Sequence, residues 1–206
     1  MHSRRIASLT APSAKTGQRK LLSIPKFSFD RHQPALKAYT GIVFKTLNPN
    51  DFTEAEIAYA QDRLRITSFV YGLLRPLDKI KPYRAEGNIA LPEWGDIPLF
   101  DYWRPKLTPY LLQEIEARGG ILFNLASDEM RRLFDWKTVE TQARIITPQF
   151  QVRHNDGWKT IVIYTKMARG ALTRYLLKNK IETPEQLQAF EWEGFRFNEL
   201  RSDNYN

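Results

Sequence analysis

Arg63-Leu-Arg-Ile-Thr-Ser-Phe-Val-Tyr-Gly-Leu-Leu-Arg-Pro-Leu-Asp-Lys-Ile-Lys-Pro-Tyr-Arg84 sets six Lys or Arg against a single acid, Asp78. Just before it, Thr53 and Glu56 have the spacing of a capping box. Ile57, Ala60 and Leu64 then recur at helical spacing, so a helix is expected to run to about Thr67. Gly72 permits a turn with positive φ. Pro76 suits the first turn of a new short helix, and Pro82 stops it. The expectation is helix, tight turn, short helix, with cations near the turn. Backbone N–H groups at such a turn can receive a phosphate. The same arrangement also serves as an ordinary connection whose cations face water.

Outward from this stretch, charge is segregated. The net charge of +8 is concentrated in residues 1–33, at +6. Residues 63–84 are +5 and 153–180 are +6, while 85–152 and 181–206 are −3 and −4. Brought onto one face, the two basic segments would give the electrostatic footprint of a polyanion binder. At 206 residues with 42% hydrophobic content, there is material for one well-buried domain. No apolar run approaches the ~20 residues that a membrane span needs, and no signal-peptide pattern follows Arg4 and Arg5. With no cysteine, disulfides, thiolate metal sites and Cys nucleophiles are excluded. His2, His32 and His154 are scattered and suggest neither a triad nor a metal cluster, so no metal or cofactor is expected.

Along the chain, residues 1–33 read as a basic, poorly ordered arm or the remnant of an N-terminal subregion, and 34–206 as a mixed domain. Ile42-Val-Phe44 suggests a strand. Residues 85–105, rich in Pro, Gly and aromatics including Trp94, read as a loop, followed by a helix marked by Leu107, Leu111 and Ile115. Ile121-Leu-Phe-Asn-Leu-Ala-Ser127 reads as a buried strand, and Ser127 can cap a helix begun by Asp128 and Glu129. A polar group just beyond a strand is a common place for a site, so Asn124, Ser127, Asp128 and Glu129 are candidates. Capping alone also explains Ser127 and Asp128. Residues 144–164 read as one β-hairpin turning at His154-Asn-Asp-Gly157, and 166–180 as an amphipathic helix with Lys166, Arg169 and Thr173 on one face. Gly170 inside that helix suggests close approach of another backbone. Thr183 and Gln186 suggest a second capping box, and Glu191–Phe197 a final strand.

Six short pieces together resemble the YaaA family of bacterial peroxide stress response proteins: Ala38-Tyr-Thr-Gly41, Tyr71-Gly-Leu-Leu-Arg-Pro-Leu77, Pro82-Tyr-Arg84, Asn124-Leu-Ala-Ser-Asp-Glu129, Lys166-Met-Ala-Arg-Gly170 and Glu193-Gly-Phe195. They occur in family order across residues 34–200. The resemblance implies an α+β fold, a single mixed domain of unusual topology with a helix-hairpin-helix-like element and a basic cleft. It also implies DNA binding and a cytoplasmic role in limiting peroxide damage linked to intracellular iron. Ser13-Ala-Lys-Thr16 looks like a family turn, but helices expected before Ala38 are absent, so the N-terminal region is read as shortened. Phe69 stands where many family hairpins have glycine, which leaves Gly72 as the hairpin glycine.

The leading expectation is a non-enzymatic binder of double-stranded DNA. Arg75, Lys79, Lys81, Arg84, Lys166 and Arg169 would hold phosphates without reading sequence. The competing expectation is an enzyme acting on a nucleotide or nucleic acid. Asn124, Ser127, Asp128 and Glu129 would be its polar centre, with Lys15, Arg75 and Lys166 as phosphate-holding groups. A protein-interaction module is the third. No membrane partner is expected.

Overall fold

The computed structural model describes residues 32–203 apart from Leu91, Glu93, Trp94 and Asp156. The arm expected over 1–33 therefore lies almost wholly outside the described residues, as does Trp94. The fold is α+β, a mixture of helices and small two-stranded sheets, as the sequence suggests.

The first half is assembled around α3 (Glu54–Arg63). Its capping box forms as expected, with Thr53 N donating to Glu56 Oε2 at 2.8 Å and Glu56 N to Thr53 Oγ1 at 3.2 Å. Beyond it the chain departs from the expected second helix. β2 (Ile66–Ser68) and β3 (Gly72–Leu74) form an antiparallel hairpin, a turn covers 75–78, and β4 (Lys79–Ile80) pairs with β1 (Gln33–Pro34). The β-branched Ile66 and Thr67 suit a strand whose alternate residues Ile66 and Ser68 are buried. Gly72 has φ +77°, and a Cβ there would sit 2.9 Å from the Trp103 ring. The expected freedom of Gly72 is thus used, in a β-hairpin rather than between two helices.

Ile42–Leu47 is a helix, α2, and not the expected strand. Gly41 begins it, and Asn48 ends it in the left-handed region at φ 46°, ahead of Pro49. Tertiary packing overrides the β-branched composition: α2 lies along α7 (Val162–Lys178), crossing it at Gly170. A Cβ on Gly170 would meet the Val43 carbonyl oxygen at 2.2 Å, so glycine is what allows the two backbones to approach. Arg174, one turn later, clamps the same seam through Asp51 Oδ1 at 2.7 Å and Asn48 O at 2.9 Å. Leu36, Leu47, Ile66, Ile80 and Leu177 share the core of this half, to which α1 (Ala35–Ala38) contributes.

In the second half, α4 (Leu99–Glu116) begins earlier than expected and contains Pro105 and Pro109, two residues that normally mark a break. It survives because Leu99, Phe100, Leu107, Leu111 and Ile115 are buried along it. β5 (Ile121–Phe123) is a strand as expected, but its partner is β6 (Arg144–Ile146), in parallel register from Ile121 opposite Arg144 to Phe123 opposite Ile146. The crossover carries α5 (Asp128–Arg131) and α6 (Trp136–Gln142). The single hairpin expected over 144–164 is thus divided. β6 joins β5, β7 (Val152–His154) pairs with β8 (Gly157–Lys159), and α7 has already begun at Val162. Pro148, unable to continue a ladder, lies between β6 and β7. α8 (Pro184–Leu187) has the expected capping box at Thr183 and Gln186. The final strand is instead a tight hairpin, β9 (Glu191–Trp192) and β10 (Phe195–Arg196), turned by Glu193 and Gly194 at φ 49° and 80°.

Candidate functional site

The parallel pair β5–β6 delivers Asn124 to a buried position. Its backbone N–H continues the ladder to Ile146 O at 2.8 Å, its Nδ2 donates to Thr147 Oγ1 at 3.2 Å, and its Oδ1 accepts from Ala126 N at 3.2 Å. Asn124 therefore turns the chain out of the sheet. Ser127 follows as the cap of α5, accepting from Met130 N at 3.4 Å. Asp128, on the first turn, is exposed and paired with Arg131 one turn on, while Glu129 is exposed. Of the polar centre expected at 124–129, Asn124 and Ser127 are engaged in local structure, and Asp128 faces open space.

That space is a cavity of about 620 Å³ whose walls include Asp128, Arg131, Glu140, Thr147, Thr165 and Arg169. Arg169 enters from α7, one residue before the glycine that fixes α7 against α2. Its guanidinium is half-buried, and burial pushes its pKa below the usual arginine value, opposed by Asp128 and assisted by Arg131. Among the described residues it has no ion-pair partner within 4.0 Å. Asp128, on the wall of the same cavity, favours the charged guanidinium, while burial there costs it hydration. Lys166 is exposed one turn earlier on α7 and does not line the cavity.

The remaining cations sit elsewhere. Arg75 is hydrogen-bonded to Tyr110, which raises its pKa, and lies 4.0 Å from Glu114. Glu114 is also held by Arg65 and Arg118. The turn at 75–78 is not free to receive a phosphate through its backbone. Arg75 N donates to Asp78 Oδ2 at 2.7 Å, Leu77 N to Gln61 Oε1 at 2.8 Å and Asp78 N to Arg75 O at 3.1 Å. Lys79 and Arg84 are exposed and Lys81 is half-buried, on the strand and loop that follow.

A hydroxyl cluster fixes that strand and loop. Tyr83 OH meets Ser68 Oγ at 2.6 Å and Tyr39 OH at 3.1 Å. Ser68 Oγ accepts from Tyr71 N at 3.0 Å, and Tyr71 OH accepts from Lys81 N at 3.1 Å. Burial, and then proximity to Tyr83, push the Tyr39 hydroxyl well above the ordinary phenol range, so it stays protonated. Three of the quoted pieces, around Tyr39, Tyr71 and Tyr83, thus meet at one point. Sequence reasoning passed over these tyrosines, although each lies inside a quoted motif. It also missed Arg131 and Thr147; their signals were the i, i+3 spacing from Asp128 and a place one residue beyond β6. A larger cavity of about 1110 Å³ is lined by the C-terminal hairpin, Trp158 and Arg201, and by none of the expected site residues. Lys15 lies outside the described residues.

Comparison with known proteins agrees with this convergence of motifs. A family model described as peroxide stress protein YaaA matches residues 1–201. The chain belongs to the YaaA family. Among YaaA relatives, a UPF0246 protein of Bacteroides fragilis is 61% identical over 173 residues, covering 84% of this chain and 67% of the relative. One from Bacteroides thetaiotaomicron is 60% identical over 170 residues, covering 82% and 66%. One from Aliivibrio fischeri is 40% identical over 177 residues, covering 85% and 68%. The match spans about two thirds of these relatives' length. Among the described residues no helix is long and apolar enough to cross a membrane.

Proposed function

We propose that this YaaA-family chain acts in the cytoplasmic response to peroxide by holding the phosphate backbone of duplex DNA without reading sequence. On this reading it limits damage arising where intracellular iron and peroxide meet near DNA. The observation that carries the proposal is Arg169, half-buried in an open cavity with no ion-pair partner among the described residues. Lys166 on the same helix, and Lys79, Lys81 and Arg84 on the loop fixed by the tyrosines, supply further phosphate contacts. Arg75, already engaged by Tyr110 and Glu114, contributes less. Such contacts give affinity but no base code.

The test is anisotropy of two labelled duplexes of unrelated sequence over a salt series. Arg169→Ala is expected to weaken both alike and to reduce the slope of log affinity against log salt by ~0.9. Unchanged affinity at every salt concentration would remove Arg169 from the interface. A second reading, an enzyme acting on a nucleotide, draws on Asp128 sharing the cavity with Arg169. It requires turnover that disappears in Asp128→Asn while the fold persists.

A further inference from the structure

β6 has two faces, and each borders a cavity. Ile145 and Thr147 line the cavity of Arg169, while Arg144 and Ile146 line the larger one of about 1110 Å³. Beyond the strand, Pro148, Gln149 and Phe150 line both. The two spaces are therefore neighbours across one stretch of chain. They differ in chemistry. The larger cavity has an apolar floor, in which Phe150, Leu172 and Phe190 are buried and Phe195 meets Phe150 edge-on at 5.7 Å. Its rim carries two exposed rings, Trp158 at 42% and Phe197 at 40%. Arg201 lies over the Trp158 ring at 5.0 Å and is fixed there by donating to Gln151 Oε1 at 2.9 Å. Enough of the indole stays exposed to accept a further planar group. Arg153 stands opposite Trp158 in the β7–β8 register.

We infer that the larger cavity is a nucleobase subsite, taking an unpaired base from a strand whose phosphates lie at Arg169. Charge decides against a phosphate in the larger cavity itself. Among the described residues that line it, four arginines are balanced by four carboxylates, so an anion meets no net attraction there. A base is uncharged. It asks instead for rings to stack on and for donors and acceptors at its edge. Trp158, Phe197 and the Arg201 guanidinium supply the stacking surface. Arg153, Gln188 and Glu193 on the same walls supply donors and acceptors. Stacking of this kind accepts any base, which suits a protein that holds DNA without reading sequence. The volume is ample for a base with its sugar. A paired base is locked in the duplex stack, so only an unpaired one can enter. This subsite presupposes the phosphate contact proposed at Arg169 and adds to it a preference for unpaired nucleotides.

The test uses the full chain and two labelled duplexes, one fully paired and one with a single unpaired nucleotide at its centre. Trp158→Ala is expected to weaken binding of the interrupted duplex by about tenfold and to leave the paired one unchanged. Trp158→Phe should restore most of the loss. Arg169→Ala should weaken both duplexes, which keeps failure of the subsite apart from failure of the backbone contact. An equal loss on both duplexes in Trp158→Ala, or a loss on neither, overturns the subsite. If the wild type binds neither duplex, the backbone reading falls and dAMP tests the cavity alone. Binding of dAMP that disappears in Trp158→Ala would assign the subsite to a free nucleotide, whereas no binding, or binding that the substitution leaves intact, would overturn it. Should Trp158→Ala fail to fold, 5-iodouracil at the unpaired position is photocrosslinked to the unaltered protein. Adducts at Trp158 or Phe197 support the subsite, and adducts only elsewhere, or none, overturn it.

Discussion

The tyrosine cluster and the Arg169 cavity are built from the same kind of material, short motifs brought together from distant parts of the chain, yet they end in opposite states. At the cluster, Tyr39, Tyr71, Tyr83 and Ser68 satisfy one another with neutral hydroxyl bonds, and Ser68 is fully buried. At the cavity, Asp128 is paired with Arg131, while Arg169 is left half-buried beside open space. The first region pairs its hydroxyl groups with one another and is suited to hold shape. The second has a half-buried cation with no ion-pair partner among the described residues, which is why the proposed phosphate contact is placed there. A motif shared with a family therefore does not by itself mark a binding residue; its hydrogen-bond partners decide which role it has.

The seam between the regions offers the largest effect. Gly170 lies where α7 meets α2, and any Cβ there collides with the Val43 carbonyl. Gly170→Leu is expected to lower stability by about 3 kcal/mol or more in urea unfolding. Gly170→Ala should cost less, because the gain of up to ~1 kcal/mol in helix propensity opposes the clash. If Gly170→Ala stabilised the protein, the close approach of α2 and α7 would be wrong, and with it the placement of Arg169.

Next in size is Tyr83→Phe, which removes the hydroxyl shared by Ser68 and Tyr39. A loss of about 1–2 kcal/mol is expected, since buried polar groups lose a partner. The salt slope of DNA binding should not move. Arg169→Ala should show the reverse pattern, little change in unfolding and a changed slope. Finding the two patterns exchanged would invert the roles assigned to the two regions.

Local chemistry in the sequence was enough for some of this. The caps at Thr53, Ser127 and Thr183 were legible because each depends on residues three apart. The strand at Ile121–Phe123 and the close approach at Gly170 were legible for similar reasons. What escaped depended on partners far away. Ile42-Val-Phe44 has strand composition but lies in a helix because α7 offers a glycine at position 170. The Pro-rich stretch 85–105 read as loop, but buried side chains along α4 carry the helix back to Leu99, through Pro105. β6 resembled half of a hairpin, while its actual partner begins more than twenty residues upstream. At the candidate site, Arg169 and Asp128 were visible as residue types, but not that Arg169 has no ion-pair partner among the described residues while Asp128 has Arg131. The cations at 75–84 suggested a phosphate turn, yet Asp78 and Gln61 already take its N–H groups.

Asp128→Asn has the smallest expected effect and separates the two functional readings. Its side chain is 89% exposed and bonded to Arg131, so removing the charge opens no cavity in the core. Asp128 also sits in the first turn of α5, where loss of its charge costs ~0.3–1 kcal/mol through the helix dipole. Unfolding should therefore shift slightly, and this must be measured alongside binding. For a backbone binder, the substitution removes a negative charge from the wall that also carries Arg169. It releases Arg131 from its carboxylate partner, leaving two guanidinium groups for phosphate in place of one. DNA affinity should hold or rise slightly, most visibly at low salt, where exposed charges are least screened. A severe loss of affinity in a folded Asp128→Asn protein would mean that the carboxylate itself is needed. The cavity would then be better read as a reaction centre than as a phosphate cradle.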